Sequence, residues 1–305
     1  MNQRFYSNGK LLLTAEYIVL DGATALALPT KFGQDLIVTK GTGSEIRWIS
    51  KDADKSIWFE GTIPFDAITN PNYVQRTDSV ENTLLEIMRE AYLLNPNLIR
   101  DADGYTIETN LTFPKHWGLG TSSTLINNIA QWLQIDPFKL LENSFGGSGY
   151  DIASAQHDSP ILYTLDKGNR IIRPLEFNPK FAHDLYFVYL NKKQSSKGAI
   201  ASYYNNKPVN IGDIIAESNQ ITQAILRATH IGTLEIAMQR HENLISSILE
   251  METVKEALFP DFPGAIKSLG AWGGDFILAT APSDPSRYFI DRGFTTVIPF
   301  SKMVL

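Results

Sequence analysis

The chain has 305 residues, 43% hydrophobic and 20% charged, so it carries ample apolar surface to offset ordering entropy and is not a disordered chain. Thirty-three acidic residues against 27 basic ones leave a net charge of −6, which argues against a general basic face for nucleic acid. The chain contains no cysteine, which excludes disulfides, thiolate zinc sites and thiol nucleophiles.

The length exceeds what one core usually supports and predicts two domains. The opening MNQRFYSNGK has no apolar core of a secretory signal, and nowhere do 18 apolar residues run together. The expectation is a soluble cytoplasmic protein with no membrane partner. Residues 10–28 are largely apolar and break at Asp21-Gly22, a tight-turn pair, so two strands joined at Gly22 are expected. Residues 34–40 and 44–50 flank Gly-Thr-Gly and alternate as a hairpin does. Residues 80–94 put Leu84, Leu85, Met88, Ala91 and Tyr92 on one face, a helical spacing ended by Asn95-Pro96. Residues 104–113 alternate as a strand, and a helix is expected from about Ser122 to Leu133. Asp136-Pro137 supplies a cap and a first-turn proline for a further short helix.

Strands are expected over 161–165 and 185–190. Two amphipathic helices follow, over 213–230 and 233–251, the second with Leu234, Ala237, His241, Leu244, Ile248 and Met251 on one stripe. Apolar strands over 275–280 and 295–300 close the chain. Strands and helices mix without a βαβ rhythm, so the fold class is α+β. The polar, proline-containing stretch 166–180 is the place for a boundary, giving domains 1–175 and 176–305.

Three glycine-bearing segments carry chemistry. The first is Gly118-Leu119-Gly120-Thr121-Ser122-Ser123-Thr124, between a strand and a helix. Glycine lets backbone approach a ligand, and free amides at a helix start favour an anion such as phosphate. Its hydroxyls offer donors or oxygen ligands for magnesium; an ordinary capped helix start would explain the same residues. The second is Gly146-Gly147-Ser148-Gly149-Tyr150-Asp151, where Asp151 is either a proton acceptor or an N-cap. The third, residues 264–276, leads into an apolar strand and is rich in small residues. It is either a ligand-wrapping loop or a tight turn. Walker A, Rossmann, protein-kinase and G-x-S-x-G signatures are absent from the sequence. Its five histidines show no metal-ligand spacing, and His241 on an apolar stripe reads as a core histidine.

Together and in this order, the segments resemble the GHMP superfamily of small-molecule kinases. Gly9-Lys10-Leu11-Leu12-Leu13-Thr14-Ala15-Glu16-Tyr17 is similar to the family's first motif, Gly118 through Ser123 to its phosphate-binding second motif, and Lys267 through Phe276 to its glycine-rich third. Gly147-Ser148-Gly149-Tyr150-Asp151-Ile152-Ala153 and Gly264-Ala265 through Asp275 are most like phosphomevalonate kinase, then mevalonate kinase. The resemblance implies an amino-terminal ATP-binding domain like ribosomal protein S5 domain 2 and a ferredoxin-like carboxy-terminal domain. It implies ATP and Mg2+ as cofactors and transfer of the γ-phosphate to mevalonate or phosphomevalonate. A diphosphomevalonate decarboxylase-like enzyme and a catalytically altered metabolite-binding relative are the alternatives. The partner is a small molecule, and a homodimer is left open.

The implied roles are specific. Amides of Gly118, Leu119, Gly120, Thr121, Ser122 and Ser123 cradle ATP phosphates, and Ser122 ligates magnesium. Lys10 stands near the transferring phosphate, and Asp151 is base or orienter. Gly270, Gly273 and Gly274 close on the nucleotide. Glu16, Ser148, Lys197 and Ala271 contact the acceptor. Three positions depart from the family pattern: Ala15 and Trp272 replace glycines, and Thr124 replaces a small alanine. Thr121 and Asp151 are 30 positions apart, a short interval for the mevalonate branches.

Overall fold

A computed structural model describes residues 2–70, 73, 79–100, 102–192, 200, 203–205, 207, 210–270 and 272–305. It has two compact units that interleave along the chain. The first comprises Met1–Gly9, Phe32–Lys115 and Leu119–Gln156; the second comprises Lys10–Lys31, His116–Gly118 and His157–Leu305.

The first unit is a mixed sheet under helices. It contains the start of β1 (Gln3–Leu12), the larger part of β2 (Ala25–Lys40), β3 (Glu45–Lys51) and β4 (Ile57–Pro64). Helices α1 (Phe65–Thr69), α2 (Val80–Leu94) and α3 (Asn97–Arg100) then lead to β5 (Tyr105–Leu111). The strand order is β4-β3-β5-β2. The hairpin expected from 34–40 and 44–50 does not form. Strand β5 lies between β2 and β3, antiparallel to the first and parallel to the second, and β3 pairs with β4 instead. Alternation shows which face a strand buries but not its neighbour. The Gly-Thr-Gly turn binds the approach to β5: Gly41 N–H donates to the Gly104 carbonyl at 2.8 Å and Ser44 N–H to the Asp103 carbonyl at 2.7 Å. A Cβ at Gly41 would lie 2.9 Å from the Tyr105 backbone, so this crossing needs glycine.

Helices α4 (Thr121–Leu133), α5 (Pro137–Ser144) and α6 (Tyr150–Ala155) complete the unit. Ser79 caps α2, and Asp136 caps α5 by accepting from Phe138 and Lys139 N–H, with Pro137 in the first turn as the sequence indicates. The core joins Leu36, Val38, Ile46, Trp48 and Ile107 of the sheet to Leu84, Leu85 and Met88 of α2 and Ile126 and Ile129 of α4. Each such side chain contributes about 1.5–3 kcal/mol by leaving water.

In the second unit the first residues of β2 pair antiparallel with β6 (Ile161–Asp166), which pairs with β7 (Asn169–Pro174). Residue 175, where the sequence places a change of domain, follows β7 inside this unit. Strands β8 (Leu185–Tyr189), β9 (Ile266–Leu269), β10 (Phe276–Thr280) and β11 (Val297–Pro299) form an antiparallel sheet in the order β11-β8-β10-β9. Helices α7 (Ile211–Leu226) and α8 (Ile231–Leu249) pack on one another, and α8 also packs on β9. The short α9 (Val254–Leu258), α10 (Ser286–Ile290) and α11 (Phe300–Met303) finish the unit. Its core brings Val188, Ile266 and Ile277 of the sheet against Phe259, Phe262 and Phe289.

Three expectations change here. Residues 10–28, expected as two strands joined at Gly22, hold the end of β1, a 3-10 turn over Ile18–Asp21 closed by Gly22, and the start of β2. Residues 266–269, read as part of a loop, are strand β9, with all four side chains buried. The apolar stripe of α8 stops at Ile248: Glu250 turns left-handed at φ 53° and ends the helix, leaving Met251 46% exposed.

Candidate functional site

In the first unit the site begins at the start of α4. Gly120 is the N-cap at φ 94°, and no side chain caps the helix. The first amides of a helix have no partner within it, so this end presents them, with the positive end of the helix dipole, to an anion. The hydroxyls divide their tasks. Ser123 is buried and donates to the Gly120 carbonyl at 2.9 Å. Thr124 donates to Gln34 Oε1 at 2.8 Å. Ser122 is exposed and makes no side-chain hydrogen bond among the described residues. Of the three, it is the hydroxyl at liberty to meet a cation. Leu119 is fully buried.

A buried polar network holds this helix from behind. Ser7 donates to Asn128 Oδ1 at 2.7 Å, Asn127 Nδ2 donates to Ser7 at 2.8 Å, and Asn128 Nδ2 donates to the Gln34 carbonyl at 2.9 Å. These bonds tie α4 to β1 and β2. Helix α6 packs on α4, and Gln156 Nε2 at its end donates to Asn127 Oδ1 at 3.0 Å. Asp151 is the second residue of α6, after Gly149 at φ 89°, so glycine and not Asp151 is the N-cap. Ser148 is buried just before it. The first unit thus gathers Leu119, Gly120, Thr121, Ser122, Ser123, Ser148 and Asp151 on two packed helices and their leading loops.

The second unit gathers the remainder. Lys10, half-buried on β1, donates from Nζ to the Gly118 carbonyl at 3.3 Å. Gly118 has φ 71°, and a Cβ there would run into the Asp275 carboxylate. An aromatic group braces the same segment: Trp117 meets Phe276 edge-on at 5.4 Å, and the Tyr189 hydroxyl donates to the His116 carbonyl at 3.0 Å. Gly270 and Gly273 are left-handed at φ 69° and 81°, conformations a side chain disfavours. Gly274 follows them directly. Trp272 is 3% exposed, and its backbone N–H donates to the Tyr17 hydroxyl at 2.9 Å. Lys197 and Ala271 lie outside the described residues.

Glu16 is enclosed. It is 1% exposed; Oε1 accepts from Lys267 Nζ at 2.7 Å, and Oε2 lies 3.0 Å from His241 Nε2. That same nitrogen accepts the Ala15 N–H at 2.9 Å, and His241 is fully buried in the core, as its stripe position indicates, while its Nδ1 has no hydrogen-bond partner among the described residues. Glu242 accepts from Ser268 N–H at 3.0 Å and stands 4.0 Å from Lys267 Nζ. Burial raises the Glu16 carboxyl, but Lys267 and then His241 outweigh it and bring it down to about 2. Burial pushes Glu242 the other way, up to about 7, despite Lys267. Burial also lowers His241, with Lys267 adding to the effect. The sequence motifs include Lys267 but do not give its buried pairing, and they do not include Glu242; the signal available was a lysine inside an apolar strand and a glutamate beside a buried histidine.

No protein-family model and no curated sequence matches the chain. Solved structures do. It is similar to the Streptococcus pneumoniae phosphomevalonate kinase in complex with phosphomevalonate and AMPPNP, at 16% identity and TM-score 0.70, over 97% of this chain and 99% of that one. It is similar to L. major mevalonate kinase in complex with R-mevalonate, at 16% identity and TM-score 0.62, over 95% and 90%. It is also similar to Lactococcus lactis galactokinase complexed with galactose, at 11% identity and TM-score 0.69, over 95% and 88%. At these identities the likeness is one of fold. The chain has the α+β fold of the GHMP kinases, as its three glycine-bearing motifs imply. Among the described residues no helix is long and apolar enough to cross a membrane.

Proposed function

We propose that this protein is an ATP-dependent phosphotransferase that moves the γ-phosphate of ATP to a small acceptor, mevalonate or phosphomevalonate. The observation that carries the reading is the start of α4: a Gly-Leu-Gly turn, a glycine N-cap without a side-chain cap, and an exposed Ser122 beside a committed Ser123. An uncapped helix start of this kind favours an anion such as phosphate, and the fold is shared with a kinase solved with phosphomevalonate and AMPPNP.

Phosphoryl transfer asks a protein for position and charge rather than covalent chemistry. In this reading the amides from Gly118 to Ser123 receive the nucleotide phosphates, and Gly270, Gly273 and Gly274 are assigned to the nucleotide. Magnesium keeps most of its waters and binds through few protein oxygens plus phosphates, a demand the Ser122 hydroxyl fits; when bound it neutralises charge on the phosphate oxygens. Lys10 offsets charge on the transferring group. An acceptor hydroxyl oxygen bonds to the γ-phosphorus as the bond from that phosphorus to the ADP oxygen breaks, and Asp151 takes the hydroxyl proton. A phosphate acceptor is already ionised, and Asp151 then orients it. Ser148, Lys197 and Ala271 are assigned to the acceptor.

The test is ADP release with magnesium-ATP and each acceptor in turn, with Ser122→Ala and Asp151→Asn as controls. Transfer that depends on both residues supports the assignment; transfer indifferent to both removes it.

A further inference from the structure

Glu16 and Lys267 are both buried, at 1% and 0% exposure, and their carboxylate and ammonium groups meet at 2.7 Å. A charge removed from water to this degree is strongly unfavourable unless paired, so each side chain holds the other in place. The two residues belong to distant segments. Glu16 lies in the turn after β1, and Lys267 lies in β9, three residues before Gly270. A second tie joins the same two segments: Trp272 N–H donates to the Tyr17 hydroxyl at 2.9 Å.

The backbone around Glu16 shows that it is held. Ala15 and Tyr17 stand at φ 64° and 65°, positive values that L side chains rarely adopt. Such strain persists only where the surroundings over-determine it. The surroundings here are the Lys267 pair, the bond from Ala15 N–H to His241 Nε2 at 2.9 Å, and the Tyr17 bond to Trp272. Lys267 is further fixed by donating to the Ser268 carbonyl at 2.8 Å, while Glu242 accepts from Ser268 N–H at 3.0 Å. Strand β9 is thus locked to α8 and to the turn after β1 immediately before the chain enters the glycine-rich loop.

We propose that Glu16 and Lys267 are positioning residues: their buried pair fixes Tyr17, and Tyr17 holds Trp272 so that the loop at Gly270, Gly273 and Gly274 keeps its ligand-binding shape. The role rests on the phosphotransferase reading for its functional part. Neither side chain touches the ligand in this account. Trp272 replaces the family's glycine without loosening the loop, because Tyr17 supplies the partner its amide needs.

The experiment uses two variants. Glu16→Gln/Lys267→Met removes both charges of the pair, so that neither Glu16 nor Lys267 is left as a lone buried ion. Tyr17→Phe removes only the hydroxyl that receives the Trp272 amide. Amide hydrogen exchange is followed at Trp272, and kcat and KM for ATP are measured with the best acceptor. In both variants the Trp272 amide exchanges roughly tenfold faster or more, reflecting easier local opening. KM for ATP rises about tenfold while kcat changes less than about threefold, the pattern of lost binding geometry. Folded variants with unchanged exchange at Trp272 and unchanged KM would overturn the proposal. If the double variant does not fold, Tyr17→Phe decides. If the parent chain transfers phosphate to no acceptor, the kinase reading fails, and the exchange measurement still decides the anchor.

Discussion

Gly118 and Asp275 compete for one position: a Cβ on Gly118 would run into the Asp275 carboxylate, and Gly118 stands at φ 71°. Glycine is therefore required twice over, by conformation and by space. Gly118→Ala is expected to destabilise the protein by roughly 2 kcal/mol, combining left-handed strain with displacement of Asp275. It is also expected to raise KM for ATP. Asp275 itself lies at φ 51°, so Asp275→Gly in the same chain should recover most of the loss. Thermal melts of the single and double variants check this. A Gly118→Ala protein with unchanged Tm and KM contradicts the assignment.

The hydroxyls of α4 separate by task. Ser122→Ala is expected to leave Tm unchanged and shift the magnesium dependence of activity upward. Ser123→Ala removes a bond to the Gly120 carbonyl and is expected to cost about 1 kcal/mol of stability, with the metal dependence unchanged. Magnesium titrations beside melting curves make the comparison. The reverse pattern would move the cation to Ser123.

Asp151 distinguishes the acceptor. With a hydroxyl acceptor, Asp151→Asn is expected to lower kcat by about 10²–10⁴-fold, the usual worth of a general base. With a phosphate acceptor the loss is smaller, because no proton has to leave. Single-turnover rates with mevalonate and phosphomevalonate read the difference directly. Full turnover of the variant on either acceptor removes Asp151 from the catalytic step.

The buried cluster sets opposing pH responses. Glu242 is raised by burial, against Lys267, from 4.5 to about 7. Between these values the unfolded chain ionises while the folded one does not, so this group lowers stability as pH rises through that window. Glu16 lies below its ordinary value, at about 2; its stabilisation is complete above about 4.5 and fades as pH falls toward 2. Burial lowers His241, so it also penalises acid, as the unfolded chain takes up a proton that the folded one refuses. Glu242→Gln is thus expected to match the parent near pH 5 and exceed it near pH 8, by on the order of 1–3 kcal/mol. Denaturant melts at the two pH values test this; a constant difference means that Glu242 does not titrate in that range.

Local signals in the sequence were legible where local physics decides the outcome. Asp136 and Pro137 mark a helix start that the structure keeps, and the face of Leu84, Leu85 and Met88 is buried as its spacing indicates. Strand β4 escaped because most of its side chains are exposed or half-exposed, which blurs the alternation. The placement of β5 between β2 and β3 escaped because partner choice depends on the crossover, not on either strand. Within the site, Asn127 and Asn128 interrupt an amphipathic pattern and would ordinarily face water. They are buried, at 1% and 0% exposure, because Ser7 and Gln34, about a hundred positions away, complete their bonds. Lys267 is the extreme case: its partner Glu16 is 251 positions distant, so no window of sequence contains both.

The most direct test of the whole account is ADP formation by the intact protein with magnesium-ATP. Mevalonate and phosphomevalonate are run side by side, then homoserine and sugars, with a no-acceptor control. The account predicts acceptor-dependent ADP release with one mevalonate compound, lost in Lys10→Met and Asp151→Asn. ATP binding without transfer to any acceptor would contradict it and leave a GHMP fold that binds a nucleotide but has given up the reaction.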